Sequence, residues 1–168
     1  MVFNETANPE AAGDNPTETS SVTGDEISLR VPCRAEYAMV VRLVASGIAT
    51  HLDFTHDEIE QIKIALGEAC TNCIQHAYPS KGDGEEIQVR FLPHPSKLVI
   101  IIEDFGEGFD AKLVEKYMLR KEKERGEKLG IFLMKSLMDE LEISSIPGGG
   151  TQVRMVKYRE GLSDESSE

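Results

Sequence analysis

The chain has few features of a membrane or secreted protein. None of its apolar runs reaches the roughly 20 residues that a helix needs to cross a bilayer, and its first residues lack the basic and then apolar pattern of a signal peptide. Its three cysteines, Cys33, Cys70 and Cys73, are too few for a disulfide framework. These absences predict a soluble protein of the reducing cytoplasm.

Basic residues are also scarce. The chain has 18 Lys and Arg against 30 Asp and Glu, which gives a formal net charge of -12. Binding to nucleic acid depends on clustered Lys and Arg side chains that contact phosphates. The charge balance therefore argues against direct nucleic-acid binding and favours a protein partner.

The length and the charge distribution predict one folded domain between two tails. A chain of 168 residues is large enough for one hydrophobic core. Both ends are acidic and rich in small polar residues, so they cannot bury enough apolar surface to become ordered. We predict disordered tails over residues 1–24 and 159–168, and a domain over residues 25–158.

Cys70 and Cys73 form a C-x-x-C pair, but the pair lies in the middle of a predicted helix. No second pair is present to complete a zinc site, and a redox pair usually lies at a helix start. We interpret the cysteines as small buried hydrophobic residues.

Hydrophobic periodicity predicts the secondary structure. Thr55 and Glu58 have the spacing of a capping box, which starts a helix. Helices are predicted over 35–50, 55–77 and 129–140, and strands over 26–32, 87–92, 98–103, 141–145 and 152–158. The charged segment 111–127 is predicted to be a helix-prone lid. This order favours a two-layer α/β sandwich, with helices on one face of a mixed sheet and strand 98–103 at its centre.

Two motifs carry the chemistry of the chain. Glu68 and Asn72 are four residues apart, which places a carboxylate and a carboxamide on one face of the second helix. Asp104 follows an apolar strand and is itself followed by Gly106 and Gly108, which allow a tight turn. Alone, the first motif is typical of a solvated helix face and the second of an ordinary turn. Together they indicate a nucleotide site.

In this combination the chain resembles the ATP-binding, Bergerat-type fold shared by gyrase, Hsp90, histidine kinases and anti-sigma serine kinases. Within that superfamily it is most similar to the anti-sigma kinases of the sigma-B switch, over residues 26 to 158. The motifs that carry the resemblance are Glu68-x-x-x-Asn72, Asp104-x-Gly106-x-Gly108 and Gly150-Thr151.

The resemblance implies ATP as the nucleotide and Mg²⁺ as its metal ion. Asn72 is expected to ligate Mg²⁺ through its neutral side-chain oxygen. Glu68 is expected to take the proton from an attacking hydroxyl group. Asp104 is expected to accept a hydrogen bond from the exocyclic amine of adenine, with Gly106 and Gly108 beneath the base and Thr151 close to it. His76 lies one helical turn after Asn72 and is given a minor role at most.

One segment departs from the family pattern. The family has a glycine pair or a G-x-G at the end of the lid, where backbone amides bind phosphate. Here Gly130 is retained, but Lys128 stands where the other glycine would be. Two consequences are open: Lys128 replaces amide contacts with a charge, or the affinity for nucleotide is weak.

The resemblance also implies the partners. The main hypothesis is a serine-protein kinase that phosphorylates a small antagonist protein on an acceptor serine. When released from the antagonist, it sequesters an alternative sigma factor, and it forms a homodimer. The alternative is a nucleotide-responsive binding protein without phosphotransfer, although such a protein has no need of Glu68 as a base. A detached histidine-kinase domain is disfavoured because the chain lacks a helix pair with a phosphoacceptor histidine.

Overall fold

The computed structural model describes residues 24–77, 85–108, 127–146 and 149–161. Residues 111–126 of the predicted lid and nearly all of the two predicted tails lie outside these residues. Those parts of the sequence prediction remain predictions.

Five strands form one sheet in the described part of the chain. Their spatial order is β1-β2-β3-β5-β4, so β3 is the central strand, as the sequence predicted. The bounds are β1 Ile27–Pro32, β2 Glu86–His94, β3 Lys97–Asp104, β4 Glu140–Ser145 and β5 Thr151–Tyr158.

The sheet requires one correction to the prediction. We expected a mixed sheet, but all four neighbouring pairs of described strands are antiparallel. Side-chain periodicity is the same in both arrangements, and a continuous apolar run is typical of a strand that is covered on both faces. The apolar run of β3 includes Val99, which lies on the face away from the helices. Val99 is only 8% exposed, because its cross-strand neighbours Leu92 and Val156 cover it.

Among the described residues, three α-helices provide the second layer. Helix α1 is Ala35–His51, α2 is His56–Asn72 and α3 is Glu127–Leu137, and a π-helical turn, Cys73–Ala77, extends α2. Helix α2 therefore runs to its predicted end, but its last five residues are wound more widely than an α-helix. The core between the layers includes Phe91, Ile100, Ile102 and Met155 from the sheet and Val41, Ile62, Leu66 and Met134 from the helices. The two-layer architecture is confirmed.

The capping box at the start of α2 is present and also holds the chain that follows β5. The Glu58 carboxylate accepts hydrogen bonds from the backbone N–H of Thr55 at 2.6 Å and from its hydroxyl at 2.8 Å. It also accepts one from the backbone N–H of Glu160 at 2.7 Å. Beside it, Arg159 donates to the carbonyl oxygen of Leu52 at 3.1 Å. The start of α2 is thus bonded to the residues after the last strand.

Glu58→Gln is expected to lower the free energy of unfolding by about 1–2 kcal/mol at pH 7. Burial of Glu58 raises its pKa, but hydrogen bonds from Glu160 and Thr55 outweigh burial and hold the pKa below its ordinary value of 4.5. Folding lowers this pKa, so the carboxylate stabilises the protein above its unfolded pKa, and the effect is lost as the pH falls through the folded pKa.

Urea unfolding of the two proteins should therefore show different midpoints at pH 7 and midpoints that converge as the pH falls below 4.5, the ordinary pKa of glutamate. Glu60→Gln is the matched control, because Glu60 lies on the same helix and makes only a partly exposed ion pair with Lys63. A stability difference for Glu58→Gln that does not change with pH would contradict this account.

Candidate functional site

Asp104 ends β3 on the face that packs against the helices. Its side chain follows Leu98, Ile100 and Ile102 on that face, and the residue is 3% exposed. Thr151 is its cross-strand neighbour in β5. The strand register therefore places a carboxyl group at the end of an apolar layer.

The carboxyl group of Asp104 is held by backbone donors. Its Oδ1 accepts a hydrogen bond from the N–H of Gly106 at 3.1 Å and another from the N–H of Thr151 at 3.2 Å. Burial raises the pKa of Asp104, whereas these hydrogen bonds act in the opposite direction. A buried carboxylate with a fixed orientation is a specific acceptor for a ligand donor such as an amine.

Two glycines allow three backbone segments to meet beside Asp104. A Cβ atom at Gly106 would overlap the carbonyl oxygen of Ala77, and one at Gly150 would overlap the carbonyl oxygen of Asp104. Gly150 also has a φ of +99°, and Gly108 has a φ of +83°. Residues with a side chain rarely adopt these positive φ angles. These glycines are therefore required by the shape of the site.

The π-helical turn joins this junction to α2. The carbonyl oxygen of Ala77, its last residue, accepts a hydrogen bond from the N–H of Glu107 at 3.0 Å. The loop after Asp104 is thus attached to the end of the helix that carries Glu68 and Asn72. π-Helical turns occur frequently at functional sites.

A pocket opens above Asp104. Its walls are mostly apolar side chains from α2, the π-helical turn, α3 and β5, and its polar residues include Asp104, Asn72 and Thr151. The apolar walls include Ala69, Ala77, Ile131 and Val153. An apolar pocket with few convergent polar groups is typical of a small-molecule site.

The first turn of α3 lies against Glu68 and Asn72. A Cβ atom at Gly130 would be 2.9 Å from Oε2 of Glu68 and 3.5 Å from Oδ1 of Asn72. A side chain at this position would require the Glu68 carboxylate to shift, whereas the Asn72 oxygen would stay at an ordinary contact distance. The two oxygens thus lie against the first turn of α3.

Glu68 borders a second opening. It lines a groove between α1 and α2 together with Ala38, Arg42, Thr71 and other residues of the two helices, whereas Asn72 lines the pocket above Asp104. Glu68 therefore opens to the groove, one helical turn before Asn72 of the pocket.

The side-chain oxygens of this site suit Mg²⁺, which takes only part of its ligands from the protein. Among the described residues, no group of three His, Cys, Asp or Glu side chains is arranged to hold a metal ion. Mg²⁺ commonly takes one or two protein oxygens and completes its shell with waters and substrate phosphates. Asn72 and Glu68 offer oxygens of this kind beside the N-terminus of α3.

The structure brings the predicted residues into two adjoining groups. Glu68, Asn72 and Gly130 form one of them. The other consists of Asp104, Gly106, Gly108 and Thr151, and Asn72 lines the same pocket as Asp104. His76 also lines the pocket. The backbone of Lys128 lies in the first turn of α3, but its side chain is outside the described part of the chain, so its contact with phosphate remains a prediction.

Sequence reasoning missed the walls of the pocket. Ala69, Ala77 and Ile131 were assigned only to helix faces, and Val153 only to a strand. The position of Ala69 could have been inferred, because it lies three residues before Asn72 on one helix face. Ala77, five residues after Asn72, reaches the pocket through the π-helical turn, which the sequence did not reveal. No local pattern brings Ile131 and Val153 to the same pocket, because their position depends on the packing of α3 on the sheet.

The cysteines are free thiols, as predicted. Burial raises the pKa of Cys33 to about 11 and that of Cys70 to about 12, so both stay protonated at neutral pH. Cys70 is fully buried in the core, but Cys73 also lines the pocket above Asp104. The interpretation of Cys73 as a core residue is therefore incomplete.

The helices in the described residues are too short or too polar to span a bilayer.

Comparison with known proteins agrees with this geometry. A family model described as a histidine kinase-like ATPase domain matches residues 31–157. The serine-protein kinase RsbW of Bacillus pumilus is 39% identical over 145 residues, which cover 81% of this chain and 87% of the relative. The serine-protein kinase RsbW of Bacillus subtilis is 37% identical over 145 residues, which cover 82% of this chain and 88% of the relative.

A solved structure supports the fold. The RsbU and RsbW domains of a Mycobacterium tuberculosis protein superpose with a TM-score of 0.57 at 15% identity, over 82% of this chain and 34% of that chain. At this level of identity, the likeness concerns the arrangement of helices and strands.

Proposed function

The chain belongs to the histidine kinase-like ATPase family and, within it, to the RsbW serine-protein kinases, and from this premise we propose how its site works. The kinase transfers the γ-phosphate of ATP to a serine of a small antagonist protein. When released from the antagonist, it sequesters an alternative sigma factor. The observation that carries the proposal is the position of Glu68, beside the Asn72 oxygen at the N-terminus of α3 and at the edge of an open groove.

The pocket above Asp104 binds adenine. Its apolar walls suit the faces of the ring, and the buried Asp104 carboxylate accepts a hydrogen bond from the exocyclic amine. Gly108 lines the pocket without a side chain, and Gly106 lets the loop after Asp104 lie against Ala77. Adenine is favoured over guanine because guanine presents a carbonyl oxygen where adenine presents its amine.

The triphosphate extends from this pocket toward the first turn of α3. Backbone N–H groups at that helix end attract its negative charge, and Gly130 leaves room next to Glu68 and Asn72. Bound Mg²⁺ would neutralise charge on the phosphate oxygens, and Asn72 is the residue that would ligate it.

The groove between α1 and α2 receives the acceptor serine. Glu68 lines this groove and accepts the proton of the serine hydroxyl. The serine oxygen then forms a bond to the γ-phosphorus, the bond from that phosphorus to the β,γ-bridging oxygen breaks, and ADP leaves. A base is required because a neutral serine hydroxyl is a weak nucleophile.

Family resemblance also supports a homodimer as the working form. Helix α1 exposes Met39 to 57% and Leu43 to 63%, and exposed apolar side chains of this size are common in protein interfaces. Sedimentation equilibrium of the purified protein tests this part of the proposal.

The decisive experiment measures phosphate transfer directly. Purified protein is incubated with γ-labelled ATP, Mg²⁺ and the product of a neighbouring antagonist-like gene, with an antagonist whose acceptor serine is replaced by alanine as the control. We expect label on the first antagonist and none on the second. Binding of ATP and of the antagonist without transfer would instead favour a nucleotide-responsive binding protein.

Lys128→Gly is expected to make the affinity for ATP less dependent on salt. An ammonium group near the triphosphate is screened by mobile ions, with a Debye length of about 8 Å at physiological ionic strength. The variant restores the glycine of the family pattern and removes this charge, so it should bind ATP more weakly at low salt. ADP should be affected less than ATP because it lacks the γ-phosphate.

Titrations of both nucleotides at low and high salt measure this effect. Lys128→Gln removes the charge without adding backbone freedom, and Lys135→Gln removes a charge from the far end of the same helix. The two Lys128 variants should have shallow salt slopes, and Lys135→Gln should have the parental slope. Equal slopes for all four proteins would mean that Lys128 does not approach the phosphates.

A further inference from the structure

The pocket above Asp104 is small for the base that the proposed function assigns to it. Its free volume is about 30 Å³. A cavity that holds a single benzene ring has a volume of about 150 Å³, and adenine has two fused rings. At least one wall of the pocket must therefore move when adenine enters.

Two of the walls are fixed by hydrogen bonds. Asp104 and Val153 lie in β3 and β5, and each of these strands is paired with a neighbour on both sides. Helix α2 is held at its start through Glu58, and its π-helical turn is bonded through Ala77 to the loop after Asp104. Movement of either wall would break several of these bonds.

Helix α3 forms another wall, and its two ends are held differently. Ile131 lines the pocket from this helix and is 5% exposed. At the C-terminal end of α3, the ammonium group of Lys157 donates a hydrogen bond to the carbonyl oxygen of Leu137 at 3.0 Å. The first turn instead packs on α2 through Gly130, which has no side chain. The helix is thus bonded to the sheet at the end that lies away from its first turn.

The core contacts of α3 also tolerate movement. Met134 is fully buried beneath the helix, and Met138, directly after the helix, is 5% exposed. Methionine side chains are flexible and fill spaces of different shape. A small tilt of α3 can therefore be absorbed by the core.

We propose that α3 is a gate for adenine nucleotides: it tilts about its C-terminal end, and the Ile131 side chain leaves the pocket as the base enters. The first turn of α3 also lies against Glu68 and Asn72, so the same tilt makes room beside these two residues. The proposal rests on the assignment of the pocket to an adenine nucleotide. It makes Ile131 the residue that determines how often the pocket is open.

Ile131→Ala should speed the association of ATP and leave its dissociation nearly unchanged. Alanine buries less apolar surface when the gate is closed, so the closed position is weakened. With an open form of about a tenth of the molecules, the association rate and the affinity should rise by up to about tenfold. Ile131→Val removes a single methylene group and should show a smaller change in the same direction.

Ile143→Ala is the matched control. Ile143 lines the same pocket from β4, which is paired with β5 over its whole length. A wall that stays in place contacts the base in the complex, so this variant should keep the parental association rate and release ATP faster.

Stopped-flow fluorescence with mant-ATP, an ATP that carries a fluorophore on its ribose, gives both rate constants for each protein. Circular dichroism checks that each variant is folded, and Ile131→Val serves for the comparison if Ile131→Ala is not. Parental association rates in the Ile131 variants would overturn the gate, whatever their dissociation rates.

The same measurements separate the gate from the proposed function. If the parent binds mant-ATP but the Ile131 variants associate no faster, only the gate fails. If the parent does not bind the nucleotide, the assignment of the pocket to adenine fails, and the gate fails with it.

Discussion

Glu68→Gln is expected to slow phosphotransfer by about 10²–10⁴-fold, the usual contribution of a general base. Glutamine keeps the size of the side chain and its hydrogen-bonding atoms beside Gly130, but it does not take a proton from serine at neutral pH. The affinity for ATP should change little, because Glu68 borders the α1–α2 groove and not the pocket above Asp104.

Two measurements check this result: single-turnover transfer of labelled phosphate to the antagonist, and calorimetric titration with ATP. Glu60→Gln is the control, because it removes a carboxylate two turns earlier on the same helix. Transfer at the parental rate in Glu68→Gln would show that another group accepts the proton. A loss of ATP affinity as large as the loss of rate would show that Glu68 serves mainly in binding.

Asp104→Asn is expected to weaken ATP binding by about ten- to a hundredfold, since a hydrogen bond to a charged group contributes roughly 1.5–3 kcal/mol. Asparagine can keep an oxygen toward the N–H groups of Gly106 and Thr151, so the turn and the strand pairing should survive. Its amide nitrogen then faces the adenine amine, donor against donor. The same nitrogen can donate to the carbonyl oxygen of guanine, so the preference for ATP over GTP should relax.

Competition titrations with ATP and GTP measure both effects. Glu103→Gln is the matched control, because Glu103 precedes Asp104 on the opposite face of β3 and bonds to Arg90 and Gln152. This control should keep the parental preference for ATP. An unchanged ATP affinity in Asp104→Asn would remove Asp104 from the base-binding site.

The sequence predicted those parts of the fold that depend on local periodicity. The capping box at Thr55 and Glu58, the helix that begins at Ala35 and the central position of β3 are all confirmed. Strand direction was wrong in part, because side chains alternate in the same way in parallel and antiparallel strands. The π-helical turn was missed because its residues keep a helical pattern of apolar positions.

The candidate site was predicted at the level of motifs and not at the level of contacts. Glu68 and Asn72 could be paired from their spacing, because both lie on one helix. That Gly130 packs against them depends on how α3 crosses α2, which no spacing in the sequence specifies. For the same reason, the sequence did not predict that Cys73 and Asp104 line one pocket, since the two residues lie on different layers.

Helix α2 also joins two parts of the molecule that lie far apart. Its first turn is bonded to Glu160 after the last strand, and its last turn carries Glu68 and Asn72. A helix of 17 residues is a stiff rod of about 25 Å. A protein that binds the residues after β5 would therefore act on one end of a helix whose other end carries Glu68, the base of the proposed reaction.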